Sequence, residues 1–204
     1  MTTTLPRFLA LGDSYTVGEA VPAADAWPAQ LAARLRAKGN MVADPQIIAM
    51  TGWTCEELGR GMDAATLAPP YALVTLQIGV NDQYRGQDVA GYRQQFAALL
   101  ASAIALAGND ARRVVVVSIP DWGTTPFATA NNRDAPDIAR QLDAYNADAR
   151  AQTAHRGAHW CDVTDLSRQH GHLLAADGLH PDSAQYRLWS ARILPAARAA
   201  LAAS

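Results

Sequence analysis

Apolar residues along this chain fall into two kinds of stretch. Short, nearly unbroken apolar runs occupy residues 8–11, 46–50, 71–78, 113–119 and 159–163, and the fourth is the most β-branched. Between them, apolar residues recur at three- and four-residue steps, the spacing of a helix with one buried face. Leu31 and Leu35 share such a face over residues 28–38, ahead of a Gly39-Asn40 stop. Residues 55–67 predict a weaker helix, because Gly59 and Gly61 lower its propensity. A long helix carries Val89, Tyr92, Phe96, Leu99, Leu100 and Ala103, and another, opened by Asp134 and Pro136, carries Ile138, Leu142, Tyr145 and Ala149. The last follows Pro181-Asp182-Ser183 and turns Tyr186, Trp189 and Ile193 inward, with Pro195 expected to kink or end it.

Strand and helix therefore alternate five times, and the inner strands are continuous rather than alternating apolar runs. Both features predict an α/β fold, a parallel sheet with helices on both faces, formed by residues 1–204 as one domain. In such a sheet ligands bind beyond the carboxyl ends of the strands. Gly12-Asp13-Ser14, Thr51-Gly52 and Gly79-Val80-Asn81-Asp82 all lie at predicted strand ends, and the late loop Asp177-Gly178-Leu179-His180-Pro181 can reach the same edge.

Composition narrows the chemistry. Among 204 residues the net charge is −2, which leaves no electrostatic footprint for nucleic acid or an anionic membrane. Lys38 is the only lysine, so a Gly-Lys-Ser/Thr phosphate loop is absent. The longest apolar run, residues 96–107, is too short to span a bilayer, and residues 1–7 do not read as a secretory leader. A cytoplasmic chain without membrane insertion is expected, with Cys55 and Cys161 as free thiols. His155, His159 and Cys161 are metal-ligand types, but a helix end separates the first two and the third lies in a strand, so no metal site is expected.

A serine at a strand end becomes a nucleophile when an imidazole takes its proton, and the imidazole works best when a carboxylate fixes its tautomer. Ser14 is the candidate nucleophile, and His180 and Asp177, three residues apart, are the candidate base and orienting acid. A tetrahedral intermediate also needs donors aimed at its oxyanion. The backbone N–H of Ser14 or Tyr15, that of Gly52 and the side-chain amide of Asn81 are candidates, while Asp13 reads as a structural hydrogen-bonding group. No Gly-x-Ser-x-Gly elbow occurs, which disfavours an ordinary α/β-hydrolase.

With Gly-Asp-Ser at 12–14, a glycine at 52, Gly-x-Asn-Asp at 79–82 and Asp-x-x-His-Pro at 177–181, the chain resembles the SGNH hydrolase, or GDSL-type esterase/lipase, family over nearly its whole length. The resemblance implies a flavodoxin-like three-layer αβα sandwich with a five-stranded parallel sheet. It implies Ser14 as nucleophile, His180 as base then acid, Asp177 as orienting carboxylate, and Ser14 N–H, Gly52 N–H and Asn81 Nδ2 as the oxyanion hole. It implies no metal or organic cofactor. Trp53, bulky and next to Gly52, is a departure from the family pattern.

The substrate pocket is expected from residues 83–85, the loop 122–133 and the segment 172–174, with Tyr84, Trp122 and Phe127 as candidate lining of an acyl site. The loop is long enough to act as a lid. A small-molecule ester with a short acyl, acetyl or aryl group is the expected substrate. Acyl transfer to an alcohol on the same scaffold, and a non-catalytic flavodoxin-like binding module, are the alternatives.

Overall fold

The computed structural model describes residues 5–203, so residues 1–4 of the stretch read as lacking a leader lie outside the described part. In chain order the elements are β1 (Phe8–Gly12), α1 (Ser14–Val17), α2 (Trp27–Ala37), β2 (Gln46–Ala49), α3 (Cys55–Ala64), β3 (Leu73–Gln77) and α4 (Val80–Tyr84). There follow α5 (Val89–Leu106), β4 (Val114–Val117), α6 (Pro126–Ala130), α7 (Ala135–Arg156), β5 (His159–Cys161), α8 (Thr164–Gln169) and α9 (Ser183–Leu201).

All five strands are parallel, in the order β2-β1-β3-β4-β5, the doubly wound order of flavodoxin-like sheets. Every residue of β1, β3 and β4 is buried, as strands covered on both faces require. At the sheet edge β2 is only partly covered, and Ile47 is exposed. Helices α2 and α9 pack together over one face, and α3, α5 and α7 line up over the other. Trp27 of α2 is fully buried, and its indole N–H donates to Gln77 Oε1 (3.1 Å), whose amide donates in turn to Ser118 O (3.1 Å). That buried polar line ties α2, the end of β3 and the segment after β4 together just beneath the carboxyl edge.

Register brings the predicted motifs to one place. Gly12 pairs with Ala49 of β2 and with Gln77 of β3, so the segments leaving these three strands emerge side by side. A Cβ at Gly12 would lie 2.1 Å from Thr16 Oγ1 and 2.5 Å from Gln77 O, so only glycine allows β1 to pass this close to β3 before turning into α1.

Three sequence expectations need correction. Of the kink or end expected at Pro195, the end is absent: α9 continues to Leu201, and Ile193, Ala197 and Ala200 are fully buried on its inner face, burial that works against the roughly 3 kcal/mol that an interior proline costs. Residues 122–133 are not an open loop, since they hold a 3₁₀ turn at Trp122–Thr124 and α6, with Asp121 Oδ1 accepting Gly123 N–H (2.9 Å) and Thr125 Oγ1 accepting Ala128 N–H (3.4 Å) at their starts. The helix foreseen over 55–67 stops at Ala64 but is firmly begun: Thr54 and Glu57 cap it reciprocally, side chain to backbone in both directions.

Candidate active site

Asp13 is the N-cap of α1, and the one-turn helix places Ser14 as its first residue. Asp13 Oδ1 accepts Tyr15 N–H (3.0 Å), which occupies that donor; Ser14 N–H, in the first turn, has no intrahelical partner. Of these two backbone amides, that of Ser14 is therefore the one left to face a ligand. Asp13 is 1% exposed, and burial pushes its carboxyl up to about 8, assisted by the nearby charge of Asp82 and opposed by the Tyr15 amide. Near neutral pH the group beside Ser14 is thus mostly an uncharged acid, and adds little negative charge where an oxyanion would form.

The segment before α9 delivers the imidazole. A short antiparallel bridge, Leu174 with Pro181, closes the turn that holds Asp177 and His180. Asp177 Oδ1 accepts the backbone N–H of Leu179 (3.0 Å) and of His180 (3.0 Å), which fixes the turn. Its other oxygen lies 2.6 Å from His180 Nδ1, and His180 Nε2 lies 2.9 Å from Ser14 Oγ. Burial pushes the Asp177 carboxyl up, but the imidazole and the two amides outweigh it and hold the group below the usual carboxylate range. An ionised Asp177 can only accept, so Nδ1 carries the proton and Nε2 presents its lone pair to the Ser14 hydroxyl. Ser14 and His180 are both buried, at 5% and 7% exposure, while Asp177 lies closer to solvent.

The remaining donors converge from β2 and β3. Gly52 sits in the loop after β2 with φ of 86°, a left-handed conformation that suits glycine. Asn81, on α4, donates its side-chain amide to Trp53 O (2.9 Å), which leaves one amide hydrogen for a ligand. Trp53, the departure from the family pattern, turns its ring onto Gly61 of α3 rather than into the cavity.

Ser14, Gly52, Asn81 and His180 line one cavity of about 180 Å³, together with Tyr84, Trp122 and Phe127. The three aromatic rings touch one another, with centroids 5.4 to 6.4 Å apart. Trp122 is anchored from behind: its indole N–H donates to Gln83 Oε1 (2.9 Å), and Gln83 donates to Gln141 (2.7 Å). The segment 172–174 does not line this cavity; the bridge of Leu174 to Pro181 directs it elsewhere, and Leu179 takes its place. Tyr15, Thr51, Val80 and Leu179 also line the cavity; each lies within or beside a motif stretch, but none was expected in the cavity wall. Of residues 83–85, expected in the pocket wall, only Tyr84 lines the cavity: Gln83 is drawn behind Trp122 by the indole N–H, and Arg85 turns to the neighbouring loop, where its guanidinium donates to Gly52 O (2.7 Å). Cys55 and Cys161 are free and buried. None of the described helices is long and apolar enough to cross a membrane.

A model of the GDSL-like lipase/acylhydrolase family matches residues 10–188. No curated protein matches the chain. Among solved structures, the lipase/acylhydrolase from Enterococcus faecalis superposes with a TM-score of 0.72 at 22% identity, over 94% of each chain. The psychrotrophic esterase EstA from Pseudoalteromonas sp., inhibited by monoethylphosphonate, gives a TM-score of 0.71 at 18% identity, covering 95% of this chain and 97% of its own. The acetyl xylan esterase AlAXEase gives 0.71 at 17% identity, covering 93% of this chain and 98% of its own. At these identities the three share the fold.

Proposed function

The chain belongs to the GDSL-like lipase/acylhydrolase family, a family of ester hydrolases, and on that footing we propose that it cleaves short-chain or small aryl carboxylic esters through an acyl-enzyme on Ser14. The observation that carries this reading is the hydrogen-bonded line Asp177–His180–Ser14, with spacings of 2.6 and 2.9 Å.

In the first half-reaction His180 Nε2 takes the Ser14 proton as Oγ bonds to the ester carbonyl carbon. The oxyanion is met by Ser14 N–H, Gly52 N–H and Asn81 Nδ2. Collapse of the intermediate breaks the ester C–O bond, and the alcohol leaves with the proton from Nε2. Water then gives its proton to Nε2 and attacks the acyl carbon; the acid departs and Ser14 recovers its proton. Each oxyanion donor contributes on the order of 10²–10³ in turnover. The chemistry calls for no metal or organic cofactor.

Cavity size supports a short acyl or aryl group. A closed apolar cavity of about 150 Å³ holds one benzene ring, and the space beside Ser14 is about 180 Å³, walled by Tyr84, Trp122 and Phe127. Acetyl xylan esterase AlAXEase, which has the same fold, bears a name consistent with acetyl esters. The test is a series of 4-nitrophenyl esters of increasing acyl length on wild type and Ser14→Ala. Turnover should be greatest for the two- to four-carbon acyl groups and vanish in Ser14→Ala; retained turnover in that variant would end the assignment of the nucleophile.

A further inference from the structure

The loop that carries Gly52 is tied down by Glu19 at the Thr51 hydroxyl, by Asn81 at Trp53 O and by Arg85 at Gly52 O itself, and Arg85 stands outside the catalytic line. Arg85 caps the end of α4, the helix whose first turn bears Asn81, with its own N–H donating to Asn81 O (3.0 Å). Its guanidinium spans two partners: Nη2 donates to Gly52 O (2.7 Å), and Nη1 lies 3.2 Å from Glu57 Oε2. Glu57 is not a free surface acid. The same oxygen accepts Thr54 N–H (2.9 Å) and the Thr54 hydroxyl (3.1 Å), which fixes the carboxylate at the start of α3.

The Gly52 loop is pinned from α4 at two adjacent carbonyls: Asn81 holds Trp53 O and Arg85 holds Gly52 O. Trp53 N–H closes back onto Met50 O (3.2 Å). Between these anchors lies a glycine at positive φ, the conformation that most readily gives way to alternatives. A peptide N–H presented to an oxyanion gains its effect only when its direction is fixed before reaction. Arginine suits the task because its planar fork can bond a carbonyl and a carboxylate at once, which a lysine ammonium cannot reproduce at both distances.

Resting on the reading of Ser14 as nucleophile, we propose that Arg85 is a positioning residue for the oxyanion hole, clamping the Gly52 loop to the helix that bears Asn81 so that both donors keep one geometry. Arg85 is not among the residues lining the cavity, so its effect falls on the transition state rather than on substrate binding.

The test uses Arg85→Met, Arg85→Lys and Glu57→Gln in the full chain, with two readouts. The first is steady-state hydrolysis of 4-nitrophenyl acetate. The second is the rate at which diethyl 4-nitrophenyl phosphate phosphorylates Ser14, forming the Oγ–P bond and releasing 4-nitrophenolate, with the Ser14 proton passing to His180. That reaction also develops charge on an oxygen directed at the hole, and needs no knowledge of the natural ester. Arg85→Met is expected to lower kcat and the phosphorylation rate together, by about 10- to 100-fold, with KM within about threefold of wild type. Arg85→Lys should fall between, and Glu57→Gln should lose less than Arg85→Met. Unchanged kcat, or a loss confined to KM, would overturn the proposal. Should Arg85→Met not fold, Arg85→Lys and Glu57→Gln carry the same comparison. A wild-type protein that neither turns over the ester nor is phosphorylated would sink the nucleophile reading itself, and the clamp with it.

Discussion

The rings of Tyr15 and His180 meet edge to face, with centroids 5.4 Å apart and planes inclined at 60°. Tyr15 also packs on Trp189 of α9 (5.9 Å), so one side chain bridges the turn that carries Ser14, the imidazole of His180 and the helix that follows it. Aromatic side chains this buried contribute mainly through area and shape. Tyr15→Phe keeps the ring and should hold kcat within about threefold. Tyr15→Ala should cost about 3 kcal/mol or more in stability and lower kcat at least tenfold as the imidazole loses its support. Thermal unfolding and ester turnover on the two variants check this; equal kcat in Tyr15→Ala and wild type would remove Tyr15 from the positioning of His180.

Asp177, in the role proposed for it, makes its own prediction. Asp177→Asn leaves an acceptor for the amides of Leu179 and His180 but no charge to fix the tautomer, and should reduce kcat by on the order of 10²–10⁴. In wild type, Asp177 is held below the usual carboxylate range and stays ionised while imidazoles titrate, between about pH 5 and 8. A base works only when unprotonated, so kcat/KM should fall towards the acid side of that interval. A flat profile across it would argue against a histidine base.

Asp13 predicts a dependence of stability on pH with the opposite sign to that of most acids. Its folded value of about 8 lies above the unfolded 3.8, so the folded state binds the proton more tightly. The resulting stabilisation is present at pH below about 4 and is lost progressively as pH rises towards 8. Asn at this position keeps an acceptor for Tyr15 N–H and cannot ionise. The Tm of Asp13→Asn relative to wild type should therefore climb from pH 5 to 8 and level off above; a constant difference would show that Asp13 does not titrate in this range.

The proposed ester chemistry makes the aromatic wall the natural limit on acyl length, and that can be tested. Trp122 is held by Gln83, by the rings of Tyr84 and Phe127 and by the Arg133 guanidinium over its face; replacing it by Ala enlarges the cavity, so the preferred acyl group should lengthen by two or more carbons. The same 4-nitrophenyl ester series reads this directly. An unchanged length profile would place the acyl group elsewhere along the wall.

Much of this arrangement is legible in the sequence because its signals are local. The apolar runs predict the five strands, and glycines at 12, 52 and 79 mark where three of them turn. Ser14, Asn81, Asp177 and His180 each stand at a predicted strand end or on the late loop, and the pairing of Gly12 with Ala49 and Gln77 brings the three strand ends together. What was not legible depends on tertiary contact. Helices α6 and α8 are five and six residues long, below the length at which propensity alone nucleates a helix. Pro195 is a local stop signal overruled by buried Ala197 and Ala200. The exposure of Ile47 follows from strand order, which no single strand's pattern reveals. Tyr15 was removed as an oxyanion donor by a cap, and Arg85 reaches Gly52 across 33 residues.

Ser14 and His180 are separated by 166 residues, and their meeting depends on α9 packing against α2. A chain in which those two parts have not yet met holds the Ser14 hydroxyl apart from the His180 imidazole, and the reaction proposed for the pair cannot run in it. Recovery of ester turnover after dilution from denaturant should therefore lag the return of helical signal, and track the final docking of the two ends of the chain.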